Sequence, residues 1–552
     1  RMQEFNRQNP AKFKEELAEI TDKYRANIQY FICKSIILRN LYGVDIMVEA
    51  TEIAKLRLFL KMVAVVDVER RAENLGLDPL PDIDFNIRCG NTLVGYATKA
   101  QLDNDLSHPK DFLEELANQD FKQQIEDEVL KVAAAYRIFV YQQLRQEEDM
   151  MAFKQAKHNL RELLKSLNDK LNHRLYSATS PNISYDEWLK SHQPFNWLAE
   201  FYQIIESNGG FDVIIGNPPY VEYTRKNKES GTCIRDIYKL NGYATINCSN
   251  LYAFVIERSC IISKNRDNIG FIVPLSLASN NNMADLRDYI CAKGTSWYSH
   301  YEVRPAKLFD GAEQRLTIFF IRDTNIKALY STAIQRWNNE HRNTLFNRLA
   351  YAPSFNNGSI WRTSSDIETS IYSKFNTHKP SAYQLKKVGS ELHYRTAGVR
   401  YWIIFLNKGF GTESLSNKVA FFENNEVAKY YMAAFNSNLF WWYYALNFDM
   451  FNLKDYMIFN FKLDYIPNMG VEDIAVILES DLENHKVHQE INSKTRGQVT
   501  TSYYQKKQSK VIIDTIDCVL AKIFRFTDEE LDFIINYDIK YRMGDELNNS
   551  EE

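Results

Sequence analysis

Short apolar runs alternate with longer amphipathic stretches along the first part of the chain. Residues 26–45 are predicted to form a helix that leads into a short strand ending at Asp45, and a second helix follows directly. Residues 84–94 contain another short strand, with a turn at Gly90 and Asn91. A repeat of strand, polar residue and helix is typical of a doubly wound α/β domain. The pattern therefore predicts strands whose ends carry Asp45 and Asn91.

Residues 101–205 interrupt this repeat and are predicted to form a helical insertion. The stretch 101–175 is polar and helical, which favours a hairpin of helices packed on the surface of the sheet domain. A coiled-coil partner surface is the alternative, but no heptad continues over three repeats. Beyond the insertion, strands are predicted at 211–216, 269–275, 298–304 and 315–322, with helices at 250–265 and 281–293.

The second half of the chain differs in composition from the first. Residues 336–500 are rich in Tyr, Trp, Asn and Ser and predict short mixed elements of an α+β domain. Residues 501–552 return to helix, and Thr527 with Glu530 forms the pattern of a capping box. The pattern therefore predicts three regions, 1–335, 336–500 and 501–552.

Charge gives no general sign of a nucleic-acid-binding protein. The net charge of the 552 residues is −4, so DNA binding would have to rest on local basic patches. Each basic side chain in such a patch could equally belong to a solvated surface. The candidates for phosphate contact are Lys386, Lys387, Arg395, Arg400 and Lys408.

The cysteines and the hydropathy of the chain predict its compartment. Seven cysteines are scattered without a Cys-x-x-Cys pair, so neither a metal site nor a disulfide framework is expected. A reducing cytoplasm suits free thiols. No apolar run reaches the roughly 18 residues that a membrane span needs. We therefore expect a cytoplasmic protein that does not contact membranes.

The segment FDVIIGNPPY, residues 211–220, combines a buried strand with an abrupt stop. Pro218 and Pro219 cannot donate ladder hydrogen bonds, and they hold the backbone extended. The Asn217 oxygen and the adjacent prolyl carbonyl are two fixed acceptors that could hold both hydrogens of an exocyclic amine. The ring of Tyr220 could then stack on the heterocycle that carries the amine. The alternative is a turn that ends the strand with a tyrosine cap.

The other strand ends carry groups suited to a nucleoside. Doubly wound sheets bind ligands at the carboxyl ends of their strands. The Asp45 carboxylate could accept hydrogen bonds from both hydroxyls of a ribose, or it could cap the helix that follows. The Asn91 amide could contact an adenine edge, or it could stabilise a turn.

DVIIGNPPY resembles the catalytic motif of amino-methyltransferases, above all of the adenine-N6 DNA methyltransferases. NLYGVDI at 40–46 resembles the acidic cofactor-ribose motif of that family, and NIRCGNTL at 86–93 resembles its adenine motif, with Asn91 where members often have Asp. The downstream segment FNSNLFWWYYALN, residues 435–447, and the closing helices resemble the recognition and tail regions of type IIG restriction–modification enzymes and related phage-defence methyltransferases. Other matching segments are NLYAFVIERS at 250–259, GFIVPLSL at 270–277 and RLTIFFIR at 315–322.

The resemblance implies a Rossmann-like methyltransferase domain that uses S-adenosylmethionine. It implies double-stranded DNA as the partner, recognised by residues 336–500 in a restriction–modification or phage-defence system. An upstream nuclease segment and further subunits are candidate partners. The implied catalytic residues are Asn217, Pro218, Pro219 and Tyr220, and the implied cofactor-binding residues are Asp45, Ile46, Asn91 and Thr92.

One family motif is absent between Arg1 and Asp45, namely the glycine-rich loop of the form Asp-Pro-x-Cys-Gly-Ser-Gly. We expect a segment upstream of Arg1, or a partner chain, to supply it. The alternative is a catalytically inactive or split subunit that serves as a DNA-recognition or assembly module. Methylation of a protein glutamine is disfavoured, since enzymes with that activity lack a long Tyr- and Trp-rich second half.

Overall fold

The chain divides into two compact units. The first comprises residues up to 214 together with 221–269, and the second comprises 215–220 together with 270 onward. The boundary predicted at residue 335 falls inside the second unit, and the division into three regions stays a prediction. The computed structural model describes residues 18, 27–68, 70, 80–144, 149–179, 182–310, 313–396, 402–411, 414–493 and 497–544.

Two short parallel strands and two helices open the first unit. Gly43 pairs with Ile87 and Asp45 with Cys89, so the two strands end side by side. The amide of buried Asn86 donates to three carbonyls near the C-terminal end of the first helix, which would otherwise lack partners. This fixes the helix against the second strand. The elements are α1 (Ile28–Asn40), β1 (Gly43–Asp45), α2 (Val48–Val63) and β2 (Ile87–Cys89).

Helices occupy the region of the predicted insertion. The ring centroids of Phe139 and Phe153 lie 5.7 Å apart, and Lys170 forms an ion pair with Glu128, so the two long helices run antiparallel. Leucines at the helical spacing, such as Leu160, are buried between them. That this hairpin is an insertion into a sheet domain stays a prediction. The helices are α3 (Lys99–Leu106), α4 (Phe112–Leu144), α5 (Met150–Thr179), α6 (Tyr185–His192) and α7 (Trp197–Glu200), followed by a π-helical turn at Gln203–Ser207.

The predicted strand at 211–216 is confirmed as β3 (Phe211–Gly216), but the prediction that it is buried is wrong. Val213 and Ile215 are 59% and 77% exposed, and β3 lies at the end of the strand order of its sheet. The chain then forms the short helix α8 (Ile234–Ile237), the buried helix α9 (Leu251–Ile262) and the strand β4 (Ser263–Pro274). The division between the units passes through both strands, after residue 214 in β3 and after residue 269 in β4.

The six-stranded sheet that contains β3 and β4 is mixed. Its strand order is β3-β4-β6-β5-β7-β8, in which β5 pairs antiparallel with β6 and parallel with β7, and β8 pairs antiparallel with β7. The sequence predicted a doubly wound sheet, whereas β1 and β2 form a two-stranded sheet of their own. The elements are α10 (Ser276–Ser279), α11 (Ala284–Lys293), β5 (Gly294–Tyr301), β6 (Leu316–Asp323), β7 (Leu329–Gln335) and β8 (Ala352–Pro353).

One hydrophobic core joins the remainder of the second unit. Ile513 and Leu520 from the C-terminal helices belong to the same cluster as Tyr431 and Trp442. The predicted capping box of Thr527 is confirmed. The elements are α12 (Asp366–Phe375), β9 (Leu385–Lys386), β10 (Ser390–Arg395), β11 (Phe405–Leu406), β12 (Asn417–Phe422), α13 (Asn425–Asn436), α14 (Asn438–Asn447), α15 (Asp455–Phe459), α16 (Val471–Asn484), β13 (Lys486–Ser493), β14 (Gly497–Tyr504), α17 (Lys510–Phe524), α18 (Asp528–Asn536) and α19 (Ile539–Met543).

Candidate functional site

The segment Asn217–Tyr220 follows directly from the end of β3. Gly216 closes the strand, and a Cβ atom at this position would lie 2.7 Å from the ring of Phe271 in β4. Glycine therefore allows the end of β3 to approach its neighbour closely. Beyond it Asn217 is exposed, Pro218 is buried and Pro219 is exposed. The buried proline anchors the segment while the asparagine faces solvent.

Tyr220 holds the Asn217 side chain in place. Its hydroxyl lies 2.6 Å from Asn217 Oδ1 and 3.0 Å from the carbonyl oxygen of Ile272 in β4. Burial raises the pKa of Tyr220 to about 12, so the hydroxyl remains a donor at neutral pH. An amide oxygen has two lone pairs, and one is left for a further donor. Sequence reasoning assigned only a ring-stacking role to Tyr220 and missed this contact.

In the first unit, Asp45 ends β1 at the turn into α2. Its Oδ1 accepts a hydrogen bond of 2.8 Å from the Met47 amide, and its carbonyl accepts one of 2.9 Å from the Gly90 amide. One carboxylate oxygen thus stabilises the turn ahead of α2. The alternative that Asp45 caps this helix is wrong, because the cap residue is Met47 and no side chain caps the helix. No hydrogen bond to Oδ2 is found among the described residues. Beside it, the apolar side chain of Ile46 is 47% exposed.

Asn91 is buried, and its side-chain oxygen and nitrogen differ in their hydrogen bonding. Its Oδ1 accepts a hydrogen bond of 3.1 Å from the Leu93 amide, which stabilises the predicted turn. Its Nδ2 makes no well-formed hydrogen bond in the described part of the chain. Burial raises the pKa of Tyr238, and an interaction between the Asn91 side chain and the Tyr238 hydroxyl offsets only part of this rise. A buried donor in this state is suited to an acceptor on a ligand.

Thr92 is engaged within the protein. Its Oγ1 accepts a hydrogen bond of 3.2 Å from the indole nitrogen of Trp197. A ligand could contact Thr92 only by sharing or displacing that bond.

Two buried charged residues of α9 support the loops of the first unit. Arg258 donates to the Leu93 carbonyl and to the Tyr243 hydroxyl, at 3.3 and 2.8 Å. Glu257 accepts from the backbone amides of Ala244 and Thr245, both at 2.9 Å. The sequence analysis did not single out either residue, although a Glu-Arg pair inside an otherwise apolar helix is a usable signal, since buried charges need partners.

The five predicted DNA-contacting side chains differ in their surroundings. Lys386, Lys387 and Lys408 are exposed. Arg395 is half-buried, with its Nε 3.2 Å from Asn417 Oδ1 and its guanidinium 4.4 Å from the ring centroid of Phe410. Burial lowers the pKa of Arg395. Arg400 lies outside the described residues. The three lysines are therefore the stronger candidates.

The first unit also contains a cavity of about 490 Å³, away from these strand ends. Its lining is mainly apolar and includes Leu38, Tyr42, Tyr136, Phe201 and Ile204, but neither Asp45 nor Asn91. No helix in the described part of the chain has the length and apolar character to cross a membrane. Within the same residues there is no group of three or more His, Cys, Asp or Glu side chains placed to hold a metal ion.

Known proteins resemble parts of this chain. A protein of Methanocaldococcus jannaschii, provisionally named as a type II restriction enzyme and methyltransferase, is 30% identical over 295 residues, which are 47% of this chain and 24% of that protein. The chain thus spans about a quarter of the length of this relative.

Solved structures resemble the chain more weakly. The DNA complex of the Type IIL restriction-modification enzyme MmeI is 11% identical, with a TM-score of 0.36 over 94% of this chain and 90% of that chain. The DNA-bound, ATP-dependent Type ISP restriction-modification enzyme LlaBIII is 11% identical, with a TM-score of 0.29 over 68% of this chain and 40% of that chain. Both TM-scores are too low to establish a common fold.

A family model covers most of the first unit and the start of the second. It is described as Eco57I restriction-modification methylase and matches residues 39–309, just under half of the chain. These residues include Asp45, Asn91 and the segment Asn217–Tyr220. Residues 39–309 are thus similar to the methylase part of restriction-modification enzymes.

Proposed function

We propose that this chain is the methylating and sequence-recognising part of a site-specific DNA adenine-N6 methyltransferase in a restriction–modification or phage-defence system. The observation that carries the proposal is the Asn217 oxygen held 2.6 Å from the Tyr220 hydroxyl at the end of β3. An acceptor fixed in this way at a strand end, next to two prolines, is suited to an exocyclic amine. The resemblance of residues 39–309 to a restriction-modification methylase supports the same reaction class.

In this proposal, Asn217 and Pro218 bind the amine of an extruded adenine. Asn217 Oδ1 and the Pro218 carbonyl each accept one amine hydrogen, which leaves the nitrogen lone pair directed away from the protein. The Tyr220 hydroxyl keeps the asparagine oxygen in position, and its ring face offers a stacking surface to the base. These contacts matter most in the transition state, as the nitrogen gains positive charge and its hydrogens bind acceptors more strongly.

The strand ends of the first unit suit the nucleoside part of S-adenosylmethionine. The Oδ2 of Asp45 can accept from ribose hydroxyls, the exposed Ile46 offers apolar contact, and the buried Asn91 Nδ2 can donate to a ring nitrogen. Thr92 is the weakest member, since Trp197 already binds its hydroxyl. When bound, S-adenosylmethionine supplies the methyl group.

Double-stranded DNA is the proposed substrate, and a cytoplasmic location accords with it. A base pair hides the amine, so the adenine must leave the stack before Asn217 can bind it. Lys386, Lys387 and Lys408 are proposed to contact phosphates, and residues 336–500 are proposed to determine the sequence that is methylated.

The second candidate function is an inactive or split subunit that recognises DNA or assembles a complex. Titration of S-adenosylmethionine into the protein by calorimetry separates the two functions. Measurable binding that Asp45→Ala weakens supports the enzyme. DNA binding without cofactor binding supports the subunit.

The test of the enzyme uses the full-length protein with tritiated S-adenosylmethionine and genomic DNA, followed by digestion to nucleosides. We expect label in N6-methyladenine, and a loss of at least about a hundredfold for Asn217→Ala, comparable with removing one group that stabilises a transition state. Asn208→Ala, an exposed asparagine ahead of β3, is the matched control and is expected to keep full activity. DNA affinity of Asn217→Ala, measured by fluorescence anisotropy, is expected to remain near that of the wild type. Near-normal turnover of Asn217→Ala would refute the site, and label in cytosine or protein would refute the substrate.

A further inference from the structure

The loop between α14 and α15 presents one aromatic side chain to solvent. Phe448 and Met450 are 5% and 4% exposed, whereas Phe451 is 55% exposed. Met450 adopts a φ of +56°, which is uncommon for a residue with a side chain and strains the backbone. The strain lets Met450 point into the core while the next ring points outward.

Hydrogen bonds keep this loop in one conformation. Asp449 Oδ1 accepts from the amides of Phe451 and Asn452, at 2.9 and 3.1 Å. The Tyr444 hydroxyl donates to the Asn452 carbonyl at 2.7 Å. Buried Arg362 donates to the Phe448 carbonyl at 2.6 Å. The exposed ring therefore sits on a fixed support, and little conformational freedom is lost when it makes a contact.

Arg315, directly before β6, packs its guanidinium over the ring of Phe451. Its guanidinium carbon lies 4.1 Å from the ring centroid of Phe451, and its Nη1 donates to the Asp449 carbonyl. Its Nε lies 2.8 Å from both carboxylate oxygens of Glu302. This largely buried ion pair neutralises Arg315, so the arginine positions the ring and is not itself placed to contact a phosphate.

Arg315, which contacts this loop, adjoins the same end of β4 as the proposed catalytic residues. The Arg315 carbonyl accepts a hydrogen bond of 2.9 Å from the Leu275 amide, just beyond the end of β4. Three residues earlier, Ile272 accepts the hydrogen bond from Tyr220. Three residues of extended chain span about 10 Å. The two contacts at this end of β4 are therefore separated by roughly three base steps of one DNA strand.

From this placement we infer that Phe451 is a wedge that enters the DNA stack beside the target adenine and stabilises its extruded state. The inference rests on the proposed methylation of an extruded base. Apolar side chains inserted between base steps are a known means of unstacking DNA. The geometry suits it: the ring is exposed, its loop is held by hydrogen bonds, and Arg315 links it to the end of β4 that Tyr220 contacts. Phe451 is thus a positioning residue that acts on the duplex and not on the reacting atoms.

A packing role for Phe451 predicts a different result from a wedge role. If Phe451 only covers Arg315, its removal should impair the enzyme equally on every DNA. If it stabilises extrusion, its removal should matter only where extrusion is costly. Extrusion costs a few kcal/mol from a matched pair and less from a mismatch.

The experiment uses duplexes that carry the methylation motif of the protein, as found by sequencing the methylated genome. One duplex pairs the target position normally, and the other mispairs it. With 2-aminopurine at the target, emission at saturating protein reports extrusion without requiring catalysis. With adenine there, single-turnover methylation reports the reaction. Phe451→Ala is compared with the wild type, with Phe451→Trp, which keeps a ring, and with Ile326→Ala. Ile326 is a 73% exposed apolar residue beyond the opposite end of β6.

For Phe451→Ala we expect about a tenfold slower single turnover and weaker emission on the paired duplex, from the loss of one stacking contact. On the mispaired duplex we expect both quantities to return close to the wild-type values. Phe451→Trp and Ile326→Ala should resemble the wild type on both duplexes.

Three results would overturn the wedge: unchanged paired-duplex behaviour of Phe451→Ala, an equal loss on both duplexes, or equal losses in Phe451→Ala and Ile326→Ala. If the wild type methylates DNA and one of these results is found, only the wedge fails. If the wild type neither binds nor methylates DNA, the proposed function fails, and the wedge fails with it.

Discussion

The Tyr220 hydroxyl lies 2.6 Å from Asn217 Oδ1, and the same hydroxyl lies 3.0 Å from the Ile272 carbonyl. The tyrosine thus links the catalytic candidate to β4 through its hydroxyl, whereas the proposed stacking role belongs to its partly exposed ring. The two parts of the side chain can be removed separately.

Tyr220→Phe should remove the positioning contact and keep the ring. One hydrogen bond contributes about 0.5–1.5 kcal/mol, so we expect methylation to slow by roughly two- to tenfold. Tyr220→Ala also removes the stacking face, which is worth about 1–3 kcal/mol, so its loss should be at least ten times greater. Single-turnover rates and 2-aminopurine emission at the target position measure both. Equal rates and equal emission for the two variants would reduce Tyr220 to a packing residue.

Asp45 should affect cofactor binding more than stability or DNA binding. Asp45→Asn keeps an acceptor for the Met47 amide, since Asn and Asp side chains accept the same hydrogen bond from the backbone two residues on, but it removes the charge. A hydrogen bond to a charged group contributes about 1.5–3 kcal/mol, so calorimetry should show S-adenosylmethionine binding weakened roughly ten- to a hundredfold. The melting temperature of Asp45→Asn should stay near the wild-type value, whereas Asp45→Ala should lower it. Unchanged cofactor affinity in both variants would leave Asp45 only with its role in the turn before α2.

The double variant Lys386→Ala/Lys387→Ala should weaken DNA binding without changing which sequence is preferred. Each phosphate contact contributes about 0.9 to the slope of log affinity against log salt concentration, so the slope should fall by about 1.8. Lys327→Ala, an exposed lysine after β6, is the control and should leave the slope unchanged. Anisotropy titrations at several salt concentrations give these values. A change in sequence preference, or a constant slope, would contradict the assignment of phosphate contacts.

Asp517 should make the stability of the second unit depend on pH. Its carboxylate is buried and accepts hydrogen bonds from the Asn438 and Leu439 amides at 3.0 Å each, at the start of α14. Burial raises the pKa of Asp517 to about 6, although these hydrogen bonds oppose the rise. The unfolded chain has the ordinary, lower pKa, so the folded state binds the proton more tightly between about pH 4 and pH 6. The stabilising contribution is complete below this range and is lost as the pH rises through it, by up to about 3 kcal/mol.

Asp517→Asn removes that titration. Urea unfolding at several pH values should therefore show the difference in unfolding free energy, wild type minus Asp517→Asn, decreasing from pH 4 to pH 6. A difference that is constant or increases over that range would show that the folded-state pKa is not raised.

Local sequence signals predicted some elements closely. The apolar run 211–216 is bounded by glycines and became β3 without a change of limits, and the Thr527–Glu530 spacing became a capping box. The strand predicted at 298–304 instead spans Gly294–Tyr301, because pairing with β6 over its whole length determines its limits. The hairpin of β13 and β14 was missed, since residues 500–504 were assigned to a helical region. Antiparallel pairing depends on a partner strand and not on local periodicity alone.

In the candidate site, too, local sequence signals predicted some features, whereas contacts between distant residues were not predicted. Asn217 and Asp45 could be found from sequence because their residue types and strand-end positions carry the chemistry. The contacts of Tyr220 with Ile272 and of Arg315 with Phe451 join residues distant in the chain, and no spacing rule predicts them. Nothing in the sequence ranks Arg395 below the lysines as a phosphate contact. Only the structure shows that its side chain forms a hydrogen bond with Asn417 and packs on the ring of Phe410.

The hydrophobic core shared by residues 361–534 has a consequence for exchanging the proposed recognition region between relatives. A graft of residues 336–500 alone would place Trp442 and Tyr431 of one parent against Ile513 and Leu520 of another. Interiors are close-packed, so such junctions create cavities or overlaps. The segment to exchange between relatives is therefore the whole region that contributes to this core, including α17 and α18. Chimeras that keep this region intact should yield more folded protein than those cut at residue 500.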